Sequence, residues 1–511
     1  MDAAAVRALR SDLEAARFTV DALTNLWGAS AEAALERGDR VPARRALAGS
    51  DAPAAVLARL FVLGLGEDPS AVGAALPALG LDGARGLGLL ESSGDRVHAL
   101  LDLRPYSFLD ARGAGQWWIA SDLGELATGG ALRTDHVLGV GGASVTLSGL
   151  LLPGPIETAL DLGTGCGIQA LHLARESRRV VATDISQRAL DLAALNAALN
   201  GIDSIEFRLG SLFEPVAGER FDRIVSNPPF VITPRRSDVP AYEYRDGGLV
   251  GDAIVAGLVA GAGEHLVPGG VAQLLGNWEY RADADGLQRA IGWADAGPLD
   301  AWVIERETLD PARYAETWIR DGGTRPGSAD YEPLVAAWLD DFAERGITAV
   351  GFGYLLLRRP AGERTLRRAE RLDAPLANAG SAASGLGTHL ADVLAAHDAI
   401  AGLDDAQLLD LHPVVAGDVT EERSHWPGAE HPTVITLRQG GGFRREVRAG
   451  TALAAVVGAC DGELGLGAIL GAVASILDVD PAALTAEIVP EVRELIAGGL
   501  LTVAAPGASG G

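Results

Sequence analysis

At 511 residues the chain is long enough for two to four domains, each with an ample core. A formal net charge of −26 counts against broad electrostatic attraction to nucleic acid, though it leaves room for a local basic surface. Two cysteines, Cys166 and Cys460, are too few for a disulfide framework, and no His/Cys/Asp/Glu cluster has metal-ligand spacing, so no metal is expected.

All 42 basic residues are arginine and the only methionine is Met1. That is the usage of GC-rich coding, so arginine content alone says little about function. The first 30 residues carry charges throughout, with no signal-like apolar core. The longest apolar runs, such as 464–477, are too short to span a bilayer. A soluble cytoplasmic protein is expected.

In residues 1–28, Val6, Leu9, Leu13, Ala16, Val20 and Leu23 recur at three- and four-residue spacing and predict one helix face that packs on its neighbours. Further helices follow 37–45, one of them starting at Asp68-Pro69 as cap and first-turn proline. Over 86–103 the pattern turns to alternation, with Val97, Ala99, Leu101 and Leu103 on one side. Helices ending in a short hairpin suggest a winged-helix-like module. Without a basic recognition helix, packing or dimerisation is preferred to DNA binding. Residues 104–150 read as strands and turns. Trp117, Trp118 and His136 there are read as core, with one wall of a substrate cleft as the alternative.

The stretch 157–230 carries the chemistry. ETALDLGTGCG (157–167) is a short apolar strand running into glycines at 163, 165 and 167, followed by a helical pattern. A second apolar run, 179–186, ends on Asp184; a third, 205–215, and a fourth, 221–230, complete a strand–helix alternation expected of a parallel α/β sheet. Glycines after a strand let the backbone turn sharply and approach a ligand under the positive end of the next helix. An acid at the tip of the adjacent strand suits a ribose diol. A glycine turn alone is equally compatible with a dinucleotide. Asn227-Pro228-Pro229-Phe230 at the fourth strand tip separates the readings. Two prolines cannot extend a ladder, so they stiffen the loop and leave carbonyls free. Asn227 and the Pro228 carbonyl can both accept from a planar –NH2 group, with Phe230 stacked on its π face.

Together DLGTGCG, Asp184, GSLFEP (210–215) and SNPPF (226–230) resemble the class I S-adenosylmethionine-dependent methyltransferases. More narrowly, they resemble the NPP(F/Y) branch, which methylates base amines in nucleic acids or the glutamine amide of translation release factors. The resemblance is strong over about 150–275 and looser over about 130–360. It implies S-adenosyl-L-methionine as cofactor, held by Asp161, Gly163, Thr164, Gly165, Cys166, Gly167, Asp184, Ile185, Ser211, Leu212 and Asn227. It implies Asn227, Pro228, Pro229 and Phe230 as the catalytic group. Many relatives carry Asp where this chain has Ser211, which puts the contact to the adenine amine in question and leaves the Leu212 backbone as the more dependable one.

After Phe230 the long segment 231–248 is rich in Pro, Arg and Gly. Its place at the carboxyl end of the strands favours a substrate lid, in which Arg235, Arg236 and Arg245 either meet phosphates or an acidic peptide or are simply solvated. A helix over 249–266 and strands at 271–278, 300–307 and 348–359 follow, with two inserted helices at 310–321 and 330–346 carrying Tyr314, Trp318, Tyr331 and Trp338. An Arg-rich link, 358–373, and NAGSAASG (378–385) mark a boundary. Residues 455–503 read as helices with an Asp480-Pro481 start and a winged-helix-like end.

The expected architecture is a Rossmann-like, seven-stranded α/β methyltransferase domain over 129–360. Mainly helical, winged-helix-like domains flank it at 1–128 and 361–511 and offer surfaces for a possible homodimer. The expected activity is methyl transfer to a planar nitrogen, with an RNA base amine placed first. A glutamine amide of a translation factor is the alternative, and a non-catalytic scaffold is disfavoured by the intact glycines, Asp184 and Asn227. The expected partner is accordingly RNA or a protein substrate.

Overall fold

The computed structural model describes residues 2–128, 133–236, 239, 245–372 and 385–503. Two compact units are formed, one from Met1–Ser148 with Gly154–Pro375, the other from Gly149–Pro153 with Leu376–Gly511.

The first unit is built on an eight-stranded sheet. Its strands are Ile156–Leu162 (β1), Ser177–Asp184 (β2), Ile205–Leu209 (β3), Phe221–Ser226 (β4), Leu266–Arg281 (β5), Asp300–Leu309 (β6), Ile347–Arg358 (β7) and Arg367–Arg371 (β8). The spatial order is β8-β6-β7-β5-β4-β1-β2-β3. Strands β1 to β5 run parallel, whereas β7 is antiparallel to both β5 and β6. Ala159, Leu160, Val180, Val181, Ala182, Ile224 and Val225 are all essentially buried, because helices cover both faces of a parallel sheet. The strand order reverses at β1, which has β2 on one side and β4 on the other. In open α/β sheets that switch point is where ligands bind, at the carboxyl ends of the strands.

Seven of these strands match the sequence expectation, and β8 is additional. It lies inside the Arg-rich segment read as a link. Its arginines are engaged within the unit: Arg371 bonds Glu305 of β6 (2.9 Å) and the helix-capping Asp285 (2.8 Å), and Arg368 lies 5.1 Å over the Trp302 ring. Glu370 accepts from Trp302 Nε1 at 2.6 Å. Charge on a short edge strand blunts further pairing, and a composition-based reading takes it for linker. The run NAGSAASG lies outside the described residues except for its last glycine, as does the 129–132 boundary segment.

Residues 1–28 form two helices, Ala3–Ala15 and Val20–Trp27, rather than one. Arg17 takes a left-handed φ of 51°, and the Thr19 side chain caps the second helix by accepting from Ala22 N–H. The apolar spacing continues across the break because both helices face one core. Two hairpins follow, Leu90–Ser93 with Arg96–Ala99 and Leu101–Asp110 with Gly113–Asp122. Gly142–Leu150, read as strand and turn, is a helix. Val145 N–H reaches the Gly141 carbonyl there, and glycine and β-branched residues had masked the helical period.

The second unit has helices Gly385–Ile400, Asp405–Leu409, Thr451–Gly458, Leu466–Leu477 and Pro481–Ala497, the last capped by Asp480. Pro413–Val415 pairs antiparallel with Leu501–Val503. A three-stranded sheet of Val419–Ser424, Val434–Gln439 and Glu446–Ala449 was not anticipated.

Candidate active site

The glycine turn, Asp184, Gly210–Leu212 and Asn227 meet at one end of the sheet. The register dictates this: Leu162 pairs with Thr183, Asp161 with Val225 and Asp184 with Leu209, so the next residues of four strands emerge side by side. Gly163 and Thr164 N–H groups both donate to the Thr183 carbonyl at 2.9 Å. The Ser226 hydroxyl donates to the Leu162 carbonyl at 2.7 Å and sets the start of the Asn227 loop.

Gly163, Gly165 and Gly167 have φ of 76°, 55° and 87°. A Cβ on Gly163 or Gly165 would meet open space, whereas one on Gly167 would lie 2.9 Å from the Ala193 Cβ. The first two glycines therefore serve the turn and a ligand beside it, and the third serves helix packing. Cys166 is buried and its thiol is pushed up to about 11 by that burial, so it is a packing residue and not a nucleophile.

Asp161 is almost wholly buried. Its Oδ2 accepts from the Thr164 hydroxyl (2.5 Å) and Ala170 N–H (2.9 Å), while Oδ1 has no partner among the described residues. Burial pushes the carboxyl up to about 7. An orphaned carboxylate oxygen in that state suits a cationic group, as the ammonium of S-adenosylmethionine is. Asp184 accepts from Gly165 N–H and Ser186 N–H, each at 2.9 Å, and burial raises its pKa as well. Ile185 beside it is exposed. Gly210 N–H donates to the Asp184 carbonyl at 3.0 Å, and Leu212 takes a left-handed φ of 47°. Ser211 is thus brought to the tip of β3, exposed beside Asp184.

In the Asn227 loop, Asn227 Oδ1 is buried with no partner among the described residues. The Pro228 carbonyl is not free as expected: Phe230 N–H donates to it at 2.8 Å, a tight turn that leaves one lone pair for a ligand. Phe230 is half-buried and meets the Trp318 ring at 6.2 Å and 75°. Of the segment 231–248 read as a lid, 237–238 and 240–244 lie outside the described residues. Its ends are pinned by a Phe230–Asp246 bridge and by Val231 N–H on the Arg245 carbonyl. Arg235 bonds the Leu249 carbonyl and Asp246, and buried Arg245 bonds the Trp318 carbonyl and Asp321. Both are engaged within the fold rather than presented to phosphates.

The Trp117–Trp118 pair is core. Trp117 packs 4.8 Å from His172, and Trp118 Nε1 donates to the Phe18 carbonyl at 2.7 Å. His136 is buried 4.0 Å from Asp122, and burial holds its imidazole below the usual range.

Two supporting residues were missed in the sequence, and a third was named without its role. Asn196 Nδ2 donates to the Ala120 and Cys166 carbonyls (2.9 and 2.8 Å), and its Oδ1 accepts from Ala120 N–H (2.7 Å). One turn on, Asn200 makes the same paired bonds to Trp118. These two asparagines let helix Gln187–Leu199 and its cap mimic a strand edge. The signal was there, as two polar residues four apart on a buried helix face. Tyr314, on the inserted helix, is the third: its hydroxyl accepts from Ile232 N–H and Asn277 Nδ2 at 2.9 and 2.8 Å.

Residues 142–293 match the methyltransferase small domain family, and 15–100 match a domain of unknown function, DUF7059. The segment 142–293 is a small methyltransferase domain of the class I, S-adenosylmethionine-dependent kind. Its glycine turn is accordingly read as a methyltransferase turn and not as a dinucleotide fingerprint. The release factor glutamine methyltransferase of Xylella fastidiosa is 41% identical over 141 residues, 26% of this chain and 51% of that protein. The ribosomal protein uL3 glutamine methyltransferase of Bradyrhizobium diazoefficiens is 32% identical over 163 residues, 30% of this chain and 51% of that one. The chain therefore spans about half the length of these curated relatives. Among solved structures, the YcgJ protein of Bacillus subtilis aligns with a TM-score of 0.29 at 15% identity, over 43% of this chain and 99% of that one. Strand order and the matched family carry the methyltransferase fold.

Proposed function

We propose that the protein methylates the side-chain amide of glutamine in a protein substrate, using S-adenosylmethionine. The observation that carries this reading is the buried Asn227 Oδ1, without a partner among the described residues, one residue beyond the β4 tip and beside the glycine turn. A buried acceptor without a donor is costly, and a carboxamide –NH2 answers it. The names of the relatives favour this amide over the RNA base amine that the sequence placed first, and so does the net charge of −26.

S-adenosylmethionine, when bound, supplies a strongly electrophilic methyl group. The chain's own residues then have the task of alignment. Asp161 and Asp184, both acceptors at the glycine turn, hold the ammonium and the ribose diol. Asn227 Oδ1 and the remaining lone pair of the Pro228 carbonyl accept from the amide nitrogen and fix the direction of its lone pair. Phe230 lies against the amide plane. Because the amide nitrogen is a weak nucleophile, orientation and exclusion of water matter more here than any general base.

The test is incubation with methyl-labelled S-adenosylmethionine, first with purified release factor and ribosomal protein L3, then with whole-cell RNA. Label on a glutamine of protein is the expected result. Label confined to RNA would overturn the reading.

A further inference from the structure

The inserted helix Pro311–Asp321, between β6 and β7, is built into the acceptor loop. Tyr314 is wholly buried against Trp338, Phe342 and Phe352, and its hydroxyl holds Ile232 N–H and Asn277 together. One turn later Trp318 meets the ring of Phe230, and its carbonyl takes the Arg245 guanidinium at 2.7 Å. The helix thus grips the loop at Phe230, at Ile232 and at Arg245.

The loop, the inserted helix and β5 each carry buried polar side-chain atoms without partners among the described residues. Asn227 Oδ1, Thr233 Oγ1 and Asn277 Oδ1 lack partners among the described residues, and so does Trp318 Nε1. An indole N–H is a donor only, so it complements the acceptor on Asn227. A carboxamide needs both: an acceptor for its –NH2 and a donor for its C=O. Leaving a buried donor unmade costs more than the bond itself contributes, so an unpaired acceptor on Asn227, three residues before Phe230, and an unpaired donor on Trp318, whose ring meets Phe230, point to a ligand with both groups.

We propose that Trp318 completes the acceptor socket: its indole N–H receives the carbonyl oxygen of the glutamine carboxamide whose –NH2 lies on Asn227. Tyr314 is the positioning residue that keeps helix and loop in register. This rests on the glutamine reading above. Asn227 Oδ1 and Trp318 Nε1 are both shut off from solvent.

The test uses the full chain, labelled S-adenosylmethionine and purified release factor. Trp318→Phe keeps a ring against Phe230 and removes the donor; Trp318→Met is a second donorless variant. Both are expected to lower kcat/KM about tenfold, the effect of one hydrogen bond lost, with unchanged cofactor affinity and unfolding midpoint. In nitrogen-15 spectra of the indole groups, the signal missing from Trp318→Phe should move downfield when release factor is added to the unmodified protein. Tyr314→Phe should lower kcat and leave cofactor affinity alone. If the donorless variants match the parent in kcat/KM and the indole signal stays put while release factor is still methylated, the Trp318 assignment is overturned and the glutamine reading stands. If the parent labels RNA and no protein, both are overturned.

Discussion

Cofactor binding should depend steeply on pH through Asp161. Burial pushes this carboxyl up to about 7, and only its anion attracts an ammonium group. A ligand α-ammonium stays charged below about pH 7.7, so between about pH 5.5 and 7.5 the enzyme's own carboxyl sets the profile. One unit of pH below the carboxyl's pKa is worth roughly 1.4 kcal/mol, a factor of about ten. S-adenosylhomocysteine, which carries the same ammonium, should therefore bind roughly tenfold more weakly at about pH 6 than at about pH 7.5, releasing a proton as it binds. The ligand-free fold should behave oppositely. A carboxyl whose folded pKa is raised holds its proton more tightly in the native state. Its contribution to stability is greatest below the unfolded value of 3.8 and is lost as pH rises toward 7. Calorimetry in two buffers of different ionisation enthalpy measures both affinity and proton release. Asp161→Asn should weaken binding at the higher pH and flatten the profile. A parent protein whose affinity is level across this range would refute the assignment of Asp161 to the ammonium.

Three further outcomes are expected. Asn196→Ala removes three hydrogen bonds and strands Ala120 and Cys166 backbone groups in the core, so urea unfolding should show a loss of about 3–4 kcal/mol; under 1 kcal/mol would mean the clamp is idle. Gly167→Ala combines a left-handed φ of 87° with a 2.9 Å approach to Ala193 and should cost roughly 2–4 kcal/mol in the same assay, whereas Gly163→Ala meets only the backbone term. Asn227→Ala should lower turnover by orders of magnitude on the labelled acceptor while calorimetry shows cofactor affinity little changed; near-normal turnover would remove the planar-nitrogen socket.

The parallel half of the sheet was legible because three of its strands end on, or run directly into, a residue type that strand geometry does not require: glycine at 163, aspartate at 184, asparagine at 227. The short edge strand Arg367–Arg371 was not, because its arginines make sense only beside Glu305, Asp285 and Trp302, which lie far off in sequence. The same holds for Tyr314. Nothing local distinguishes it from the packing aromatics around it, and its hydroxyl acquires a role only when Ile232 and Asn277 arrive from two other elements. Pro228 erred the other way. Two prolines do stop a ladder, but the next available N–H, on Phe230, folds back on the carbonyl they were expected to leave open.

The N-terminal helices are tied to the chemistry by the same core that holds the glycine turn. Leu9, Leu13 and Phe18 belong to one continuous apolar cluster with Cys166, Ile168, Leu171, Leu192, Leu195 and Leu199. Asn196 bridges the two parts with one amide, its nitrogen shared between the Ala120 and Cys166 carbonyls. An amide so placed pairs with the hairpin edge as a strand would and ties it to the glycine turn through the Cys166 carbonyl. The turn must hold its backbone in one course to shape a site for a ligand, and a turn with three left-handed glycines has little stiffness of its own. Rigidity is therefore imported from Gly113–Asp122 through Asn196, and from Thr183 through the paired bonds of Gly163 and Thr164. Loosening the hairpin should thus weaken cofactor binding without any substitution in the turn itself, because the ordering that the hairpin had supplied would fall on the ligand.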